Sequence, residues 1–313
     1  MTTRVLEGKF AIVTGGSRGE LFLRRYQGLS TNDNPGIGEA IARNLAAKGC
    51  SLLLNFTSES SRGPTEELCK SLASTYGIKC ANVQANLSKP EEASAAIVAA
   101  AKEHFGSSGK LQIDILVNNA GVAADRNLND PVRGPIDAEF YNFIYTVNVL
   151  APLLLTQACA EYLPNDRSGR IVNVSSVSAT LGFVGQSVYG GTKAALDAMT
   201  RTWSRELADR ATVNSVNPGP VTGDMYFAAG EDFWREIQGF MDNTPGSKLD
   251  ETDADTMSRY TPEQAKIIKE KMGARRPAFT SEIAGVVGML CTPDGQWTTG
   301  SVVCANGGMR MGV

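Results

Sequence analysis

A single histidine, His104, stands in 313 residues. One imidazole excludes a catalytic His dyad and any metal site built from several histidines. The six cysteines (Cys50, Cys69, Cys80, Cys159, Cys291 and Cys304) include no Cys-x-x-Cys pair, so zinc-ribbon and dithiol redox motifs are absent. Thiols scattered in this way read as reduced groups of a cytoplasmic protein. No apolar run reads as a membrane span, and Met1–Lys9 lacks the apolar centre of a signal peptide. An excess of one charge is missing too: 30 basic residues against 33 acidic ones leave a net charge of −3 and no basic footprint for nucleic acid. The expectations are a cytoplasmic chain with no metal, no membrane and no nucleic-acid partner.

What remains is a globular composition, 42% hydrophobic and 20% charged, arranged in a regular rhythm. Lys9–Thr14, Ser51–Asn55, Ile78–Gln84, Asp114–Asn118, Arg170–Ser175, Thr212–Val216 and Ser301–Cys304 read as strands. Most are apolar throughout rather than alternating, as strands covered on both faces of a parallel sheet must be. Helical patterns separate them at Gly38–Lys48, Thr65–Thr75, Pro90–Phe105, Ala138–Leu163, Ser187–Asp209 and Ser281–Leu290. The fold class that follows is α/β: one doubly wound Rossmann-type domain spanning 1–313, with a parallel sheet of about seven strands. Two segments break the rhythm. Residues 226–278, between the last two strands, carry helical patterns near Glu231–Met241 and Pro262–Met272 and read as a substrate lid. Glu20–Gly36 interrupts the turn after the first strand.

That turn, Thr14-Gly15-Gly16-Ser17-Arg18-Gly19, is where glycines let backbone N–H groups and a helix N-terminus approach a pyrophosphate. Deleting Glu20–Gly36 leaves TGGSRG-IGEAIA, a turn running straight into an amphipathic helix. The second strand ends in Asn55 with no acid to meet an adenosine ribose or repel a 2′-phosphate, and Arg18 and Arg62 are available cations, which favours NADP(H). Farther on, Tyr189 and Lys193 are four apart and share one helical face, where an ammonium is expected to lower the phenol's pKa.

Taken together these residues resemble the short-chain dehydrogenase/reductase family, in the flavour of its 3-oxoacyl-(acyl-carrier-protein) reductase-like ketoreductases. TGGSRG…IG resembles the family's TGxxxGxG, Asn118-Asn119-Ala120-Gly121 its NNAG, Tyr189…Lys193 its YxxxK, and Asn217-Pro218-Gly219 its PG turn, in order over about residues 8–308. The resemblance implies a soluble oxidoreductase moving a hydride between nicotinamide and a ketone or secondary alcohol. Its implied catalytic tetrad is Asn148, Ser176, Tyr189 and Lys193. Tyr189 gives the proton, Lys193 tunes it and bonds the nicotinamide ribose, Ser176 holds the carbonyl, and Asn148 steadies a water that feeds Lys193. The implied cofactor contacts are Gly15, Ser17, Arg18, Gly19, Ile37, Gly38, Asn55, Asn86, Leu87, Asn118, Ala120, Gly121, Tyr189, Lys193, Pro218, Gly219, Val221 and Thr222. Two departures stand out: Asn86 replaces the usual Asp of the adenine pocket, and Gly223 the usual Thr after the PG turn, with Thr222 one position earlier.

The resemblance also implies a homodimer or homotetramer built on Ala138–Leu163 and Ser187–Asp209. Tyr226–Tyr260 holds eight acids against three bases, which disfavours an acidic carrier protein and points to a free small-molecule carbonyl or alcohol. A second reading, a catalytically inactive scaffold or binding subunit, rests on the interrupted phosphate turn alone. The interruption has its own explanation. Gly19-Glu20-Leu21 can be encoded with the splice-donor string GTGAGT, Ser30-Thr31-Asn32 with CTAAC, and Pro35-Gly36 with a terminal AG, so seventeen codons in frame read as a retained intron.

Overall fold

A computed structural model of the chain describes residues 4–16, 36–107, 109–223, 226–227 and 229–312. Ser17, Arg18, Gly19 and all but Gly36 of the interruption therefore lie outside the described residues.

Seven parallel strands form the central sheet: β1 (Phe10–Val13), β2 (Ser51–Phe56), β3 (Cys80–Gln84), β4 (Ile115–Asn118), β7 (Gly169–Val174), β8 (Ala211–Pro218) and β9 (Val302–Ala305). A two-residue antiparallel hairpin, β5 (Asn129–Asp130) with β6 (Gly134–Pro135), stands apart from it. The strand order is β3-β2-β1-β4-β7-β8-β9. The chain first winds outward from β1 to β3, then crosses back to β4 and winds the other way. The reversal between β1 and β4 opens a crevice at their carboxyl ends, where open α/β sheets take ligands. The continuous apolar runs have the expected consequence: β1, β4, β7 and β8 are buried along their whole length.

Helices cover both faces. α1 (Ile37–Ala47), α2 (Arg62–Tyr76) and the C-terminal α10 (Thr280–Cys291) pack on one side, where Ile41, Leu45, Leu72 and Val287 are inaccessible to solvent. On the other lie α3 (Pro90–Phe105), α4 (Ala138–Tyr145), α5 (Ala151–Ala160) and α6 (Ser187–Glu206), burying Ile97, Ala151 and Leu155. α4 and α5 are not the single helix the sequence suggests. A π-helical turn, Thr146–Leu150, joins them. Pro152 explains it: proline has no N–H to give the Asn148 carbonyl four residues back, so the α-helical ladder fails there. The run Ala138–Ala160 is also, by length and composition, apolar enough to cross a membrane, at a mean hydropathy of 1.5, which the sequence reading missed. Here Ile144, Val147, Leu155 and Cys159 bury that apolar surface, three of them in the core beneath the sheet.

Between β8 and α10 the chain builds α7 (Gly230–Asp242), α8 (Ala254–Ser258) and α9 (Pro262–Lys271). They share a third apolar cluster, with Trp234, Ile237, Met241, Tyr260, Ile268 and Met272 buried. Thr261 and Gln264 form a reciprocal capping box at α9, which fixes where that helix begins. The acidic excess of this segment is reduced by bases beyond it: Lys271 meets Glu231 at 3.1 Å and Lys269 meets Glu251 at 2.6 Å.

Candidate active site

The glycine turn and the β4 loop are bonded to each other across the crevice. Thr14 Oγ1 accepts from the backbone N–H groups of Asn119 (3.0 Å) and Ala120 (3.1 Å), and Asn119 Nδ2 donates to the carbonyls of Thr14 and Gly15 at 2.9 and 3.1 Å. Gly15 sits at φ +61°, a left-handed conformation that suits glycine. Gly38, in the first turn of α1, touches it: a Cβ there would stand 2.0 Å from the Gly15 carbonyl oxygen. The phosphate turn and the helix N-terminus are thus adjacent in space, although twenty-two residues separate them in sequence. Backbone of this kind, with no room for a β-carbon between turn and helix, fits the pyrophosphate of a dinucleotide.

Several expected cofactor contacts hold other partners. Asn55, buried, donates through Nδ2 to the Ala85 carbonyl at 3.0 Å and so ties β2 to the end of β3. Arg62 is bidentate with Glu59 at 2.6 and 3.0 Å, so its charge is already matched. Asn118 faces the sheet, donating to Asn173 Oδ1 at 2.8 Å and Thr156 Oγ1 at 3.1 Å. Asn86 is exposed and accepts from the Ser88 N–H at 3.0 Å, while Leu87 beside it is buried. Thr222 donates its hydroxyl to the Ala278 carbonyl at 2.8 Å, Val221 pairs as a bridge with Ala278, and Gly219, after Pro218, packs on Asn306. Asn119 and Thr14, absent from the expected contacts, are the residues that tie the two walls of the crevice together. A cavity of about 490 Å³ lies beside it, lined by Ala40, Arg43, Thr222, Arg259 and Phe279.

The tetrad is assembled. Ser176, at the end of β7, caps a short 3-10 turn by accepting the Ser178 N–H at 3.1 Å, which fixes its hydroxyl. Tyr189, in the first turn of α6, is near enough to Ser176 for that hydroxyl to hold its phenol down. Lys193 Nζ donates to the Val174 carbonyl at 2.9 Å and stands 5.7 Å from the centre of the Tyr189 ring. Asn148 is buried in the π-helical turn; its amide spans the Val122 backbone, accepting from N–H and donating to C=O at 2.8 Å each, and also donates to Thr192 Oγ1 at 3.1 Å. A Cβ on Gly121 would lie 3.2 Å from Asn148 Oδ1 and 3.3 Å from Lys193 Nζ. The NNAG loop therefore rests directly on the tetrad.

The electrostatics correct one expectation. Burial pushes the Tyr189 phenol up to about 12, only partly opposed by the Ser176 hydrogen bond. Lys193 donates to the Val174 carbonyl and is itself brought down to about 8 by burial, against the pull of Asp197. At neutral pH the site holds a protonated phenol beside a cationic amine. That pair can deliver a proton to a carbonyl oxygen.

Residues 29–232 match the family model described as short chain dehydrogenase, a match whose start falls inside the Glu20–Gly36 interruption. The chain is 64% identical over 312 residues to the L-xylulose reductase of Aspergillus niger, across 98% of this chain and 99% of that one. It is 54% identical over 319 residues to the L-xylo-3-hexulose reductase of Hypocrea jecorina, across 99% of each. Among solved structures, a blue fluorescent protein from a metagenomic library in complex with NADPH superposes with a TM-score of 0.74 at 29% identity, covering 98% of this chain and all of that one. A short chain dehydrogenase from Burkholderia cenocepacia in complex with NADP gives 0.72 at 27% identity, over 98% and 100% of the two chains. The chain belongs to the short-chain dehydrogenase family, and it is an oxidoreductase acting between CH–OH and C=O with a nicotinamide cofactor.

Proposed function

We propose that this enzyme is an NADPH-dependent reductase of a free, open-chain ketose of the L-xylulose kind. Near-full-length identity to the Aspergillus niger L-xylulose reductase carries this reading. The site chemistry agrees with reduction. Ser176 orients the substrate carbonyl, and Tyr189, protonated well above neutral pH, gives its Oη proton to the carbonyl oxygen. The bound nicotinamide supplies the hydride. Lys193 holds positive charge beside the nascent tyrosinate, and Asn148, clamped to Val122, keeps the NNAG loop against the tetrad. The helix carbonyl of Asn148, deprived of its donor by Pro152, is the acceptor for a water that reprotonates Lys193. On the cofactor side, the family resemblance gives Gly15, Ser17, Arg18, Gly19, Ile37 and Gly38 to the phosphates, and Ala120, Gly121, Val221 and Thr222 to the nicotinamide half.

The helices and loops of 226–278 form the substrate lid over one Rossmann-type domain. The family resemblance supports a homodimer or homotetramer on the α4–α6 helices, and cysteines that are all unpaired fit a cytoplasmic location. Glu20–Gly36 is read as a translated intron; transcripts that keep these codons in most reads would overturn that. The enzymatic reading is tested by following NADPH consumption with L-xylulose. Turnover with NADPH and little with NADH supports it, and no turnover with any open-chain ketose rejects it.

A further inference from the structure

Polar groups around Tyr189 continue past the tetrad. Asp125 lies four residues beyond Gly121 on the loop that leaves β4, and Gln186 is the N-cap of α6, three residues before Tyr189. Their two loops are stitched together: the Arg126 N–H donates to the Gly185 carbonyl at 2.8 Å, and a Cβ on Gly185 would lie 3.3 Å from Asp125 Cβ. Gln186 lies close enough to Asp125 to hold its carboxyl down. Gln186 Oε1 is buried and has no hydrogen-bond partner among the described residues. Buried polar atoms are almost always satisfied, so such an atom beside a reacting centre marks a place where a ligand brings a donor.

Asp125 is held for the same task. Burial raises its carboxyl above the usual range, opposed by the Gln186 hydrogen bond; Glu236 of α7 adds to the rise and Arg133 of the hairpin region resists it. Asp125 is near enough for its charge to raise the Tyr189 phenol. The lid is anchored nearby, where the Phe183 and Phe240 rings meet edge to face at 4.9 Å. None of this polar apparatus is needed to move a proton to a carbonyl.

We infer that Asp125 and Gln186 form a clamp for the hydroxyl groups of an open-chain polyhydroxy ketone, both residues accepting hydroxyl hydrogens from carbons flanking the reacting carbonyl. The inference rests on the ketose reading above and assigns the residues that select it. A ketone without hydroxyls leaves both acceptors unpaired in a closed site, and a site built to bond a hydroxyl rejects the analogue lacking it far more strongly than a greasy pocket rejects a missing methylene.

The test compares kcat/KM for L-xylulose and for 2-pentanone in the wild type, Gln186→Leu and Asp125→Asn, all with NADPH, and takes NADPH affinity as the check on folding. The wild type prefers the ketose. In Gln186→Leu that preference falls by roughly 30-fold or more, mainly through the ketose KM, with NADPH affinity retained. Asp125→Asn, which keeps one acceptor oxygen, falls by an intermediate amount. An unchanged preference, with both substrates slowed together, overturns the clamp and leaves the pair as a brace between two loops. A wild type that reduces 2-pentanone as efficiently as L-xylulose overturns the ketose reading, and the clamp with it.

Discussion

Removal of Glu20–Gly36 joins Gly19 to Ile37, so that Ser17-Arg18-Gly19 alone connects Gly16 to α1. The structure shows that the two ends already meet, since Gly38 would strike the Gly15 carbonyl if it carried a β-carbon. A three-residue link, reaching roughly 3.5 Å per residue, is long enough for such a turn. Shortening the closed stretch from the twenty residues 17–36 to three lowers the closure entropy by (3/2)RT ln(20/3), about 1.7 kcal/mol. Where closure accompanies cofactor binding, that energy is about a 17-fold gain in NADPH affinity. Loss of the Glu20 charge, which follows the phosphate turn directly in sequence, acts in the same direction. Fluorescence titration of NADPH against both chains at one ionic strength reads the effect, with thermal melts of both proteins alongside. Dissociation constants within a factor of three of each other, with equal Tm, refute the reasoning and make the interruption a tolerated bulge. Binding by the shortened chain alone assigns the enzyme to the spliced product.

Three further outcomes follow from the same geometry. Gly38→Ala places a methyl group on the Gly15 carbonyl and on Asn119 Nδ2, 2.0 and 2.6 Å away, an overpacking of about 1–3 kcal/mol that weakens NADPH binding about tenfold or more in a calorimetric titration. Tyr189→Phe leaves NADPH binding intact and lowers kcat by roughly 100- to 10,000-fold, read by single-turnover reduction of L-xylulose; a residual rate near wild type assigns the proton to another donor. Lys193→Met separates stability from activity. Lys193 titrates near 8 in the fold against 10.5 ordinarily, so below pH 8 its charge is buried at a cost of about 3 kcal/mol. Between pH 8 and 10.5 the unfolded chain binds the extra proton, and stability rises with pH across that window. Lys193→Met abolishes this rise and lifts Tm at neutral pH by several degrees, while reduction collapses; a melt series whose pH slope survives the substitution rejects the assignment. In the wild type, reduction weakens as pH climbs through about 8 and the ammonium is lost.

Local pattern and fixed spacing made most of the fold legible. The seven strands announced themselves, most of them as apolar runs, and Tyr189 and Lys193 share a face because the helical period puts them there. Commitments between distant residues were not legible. The Asn118 amide nitrogen meets Asn173 at 2.8 Å only because strand order sets the two opposite each other in the β4–β7 register. The Asn55 amide nitrogen likewise meets the carbonyl of Ala85, thirty residues on, because β2 and β3 are neighbours. Each polar side chain of this kind satisfies a buried backbone or amide group that exists only once the sheet is assembled. The π-helical turn is a different case, because its signal was in the sequence. Pro152 stands four residues after Asn148, the spacing at which a proline removes one helical hydrogen bond and frees one carbonyl. In the proposed reading that carbonyl belongs to the tetrad asparagine and receives the water that reprotonates Lys193. Pro152→Ala tests the link, since it restores the donor and closes the turn: reduction should slow at unchanged NADPH affinity, with a fold no less stable.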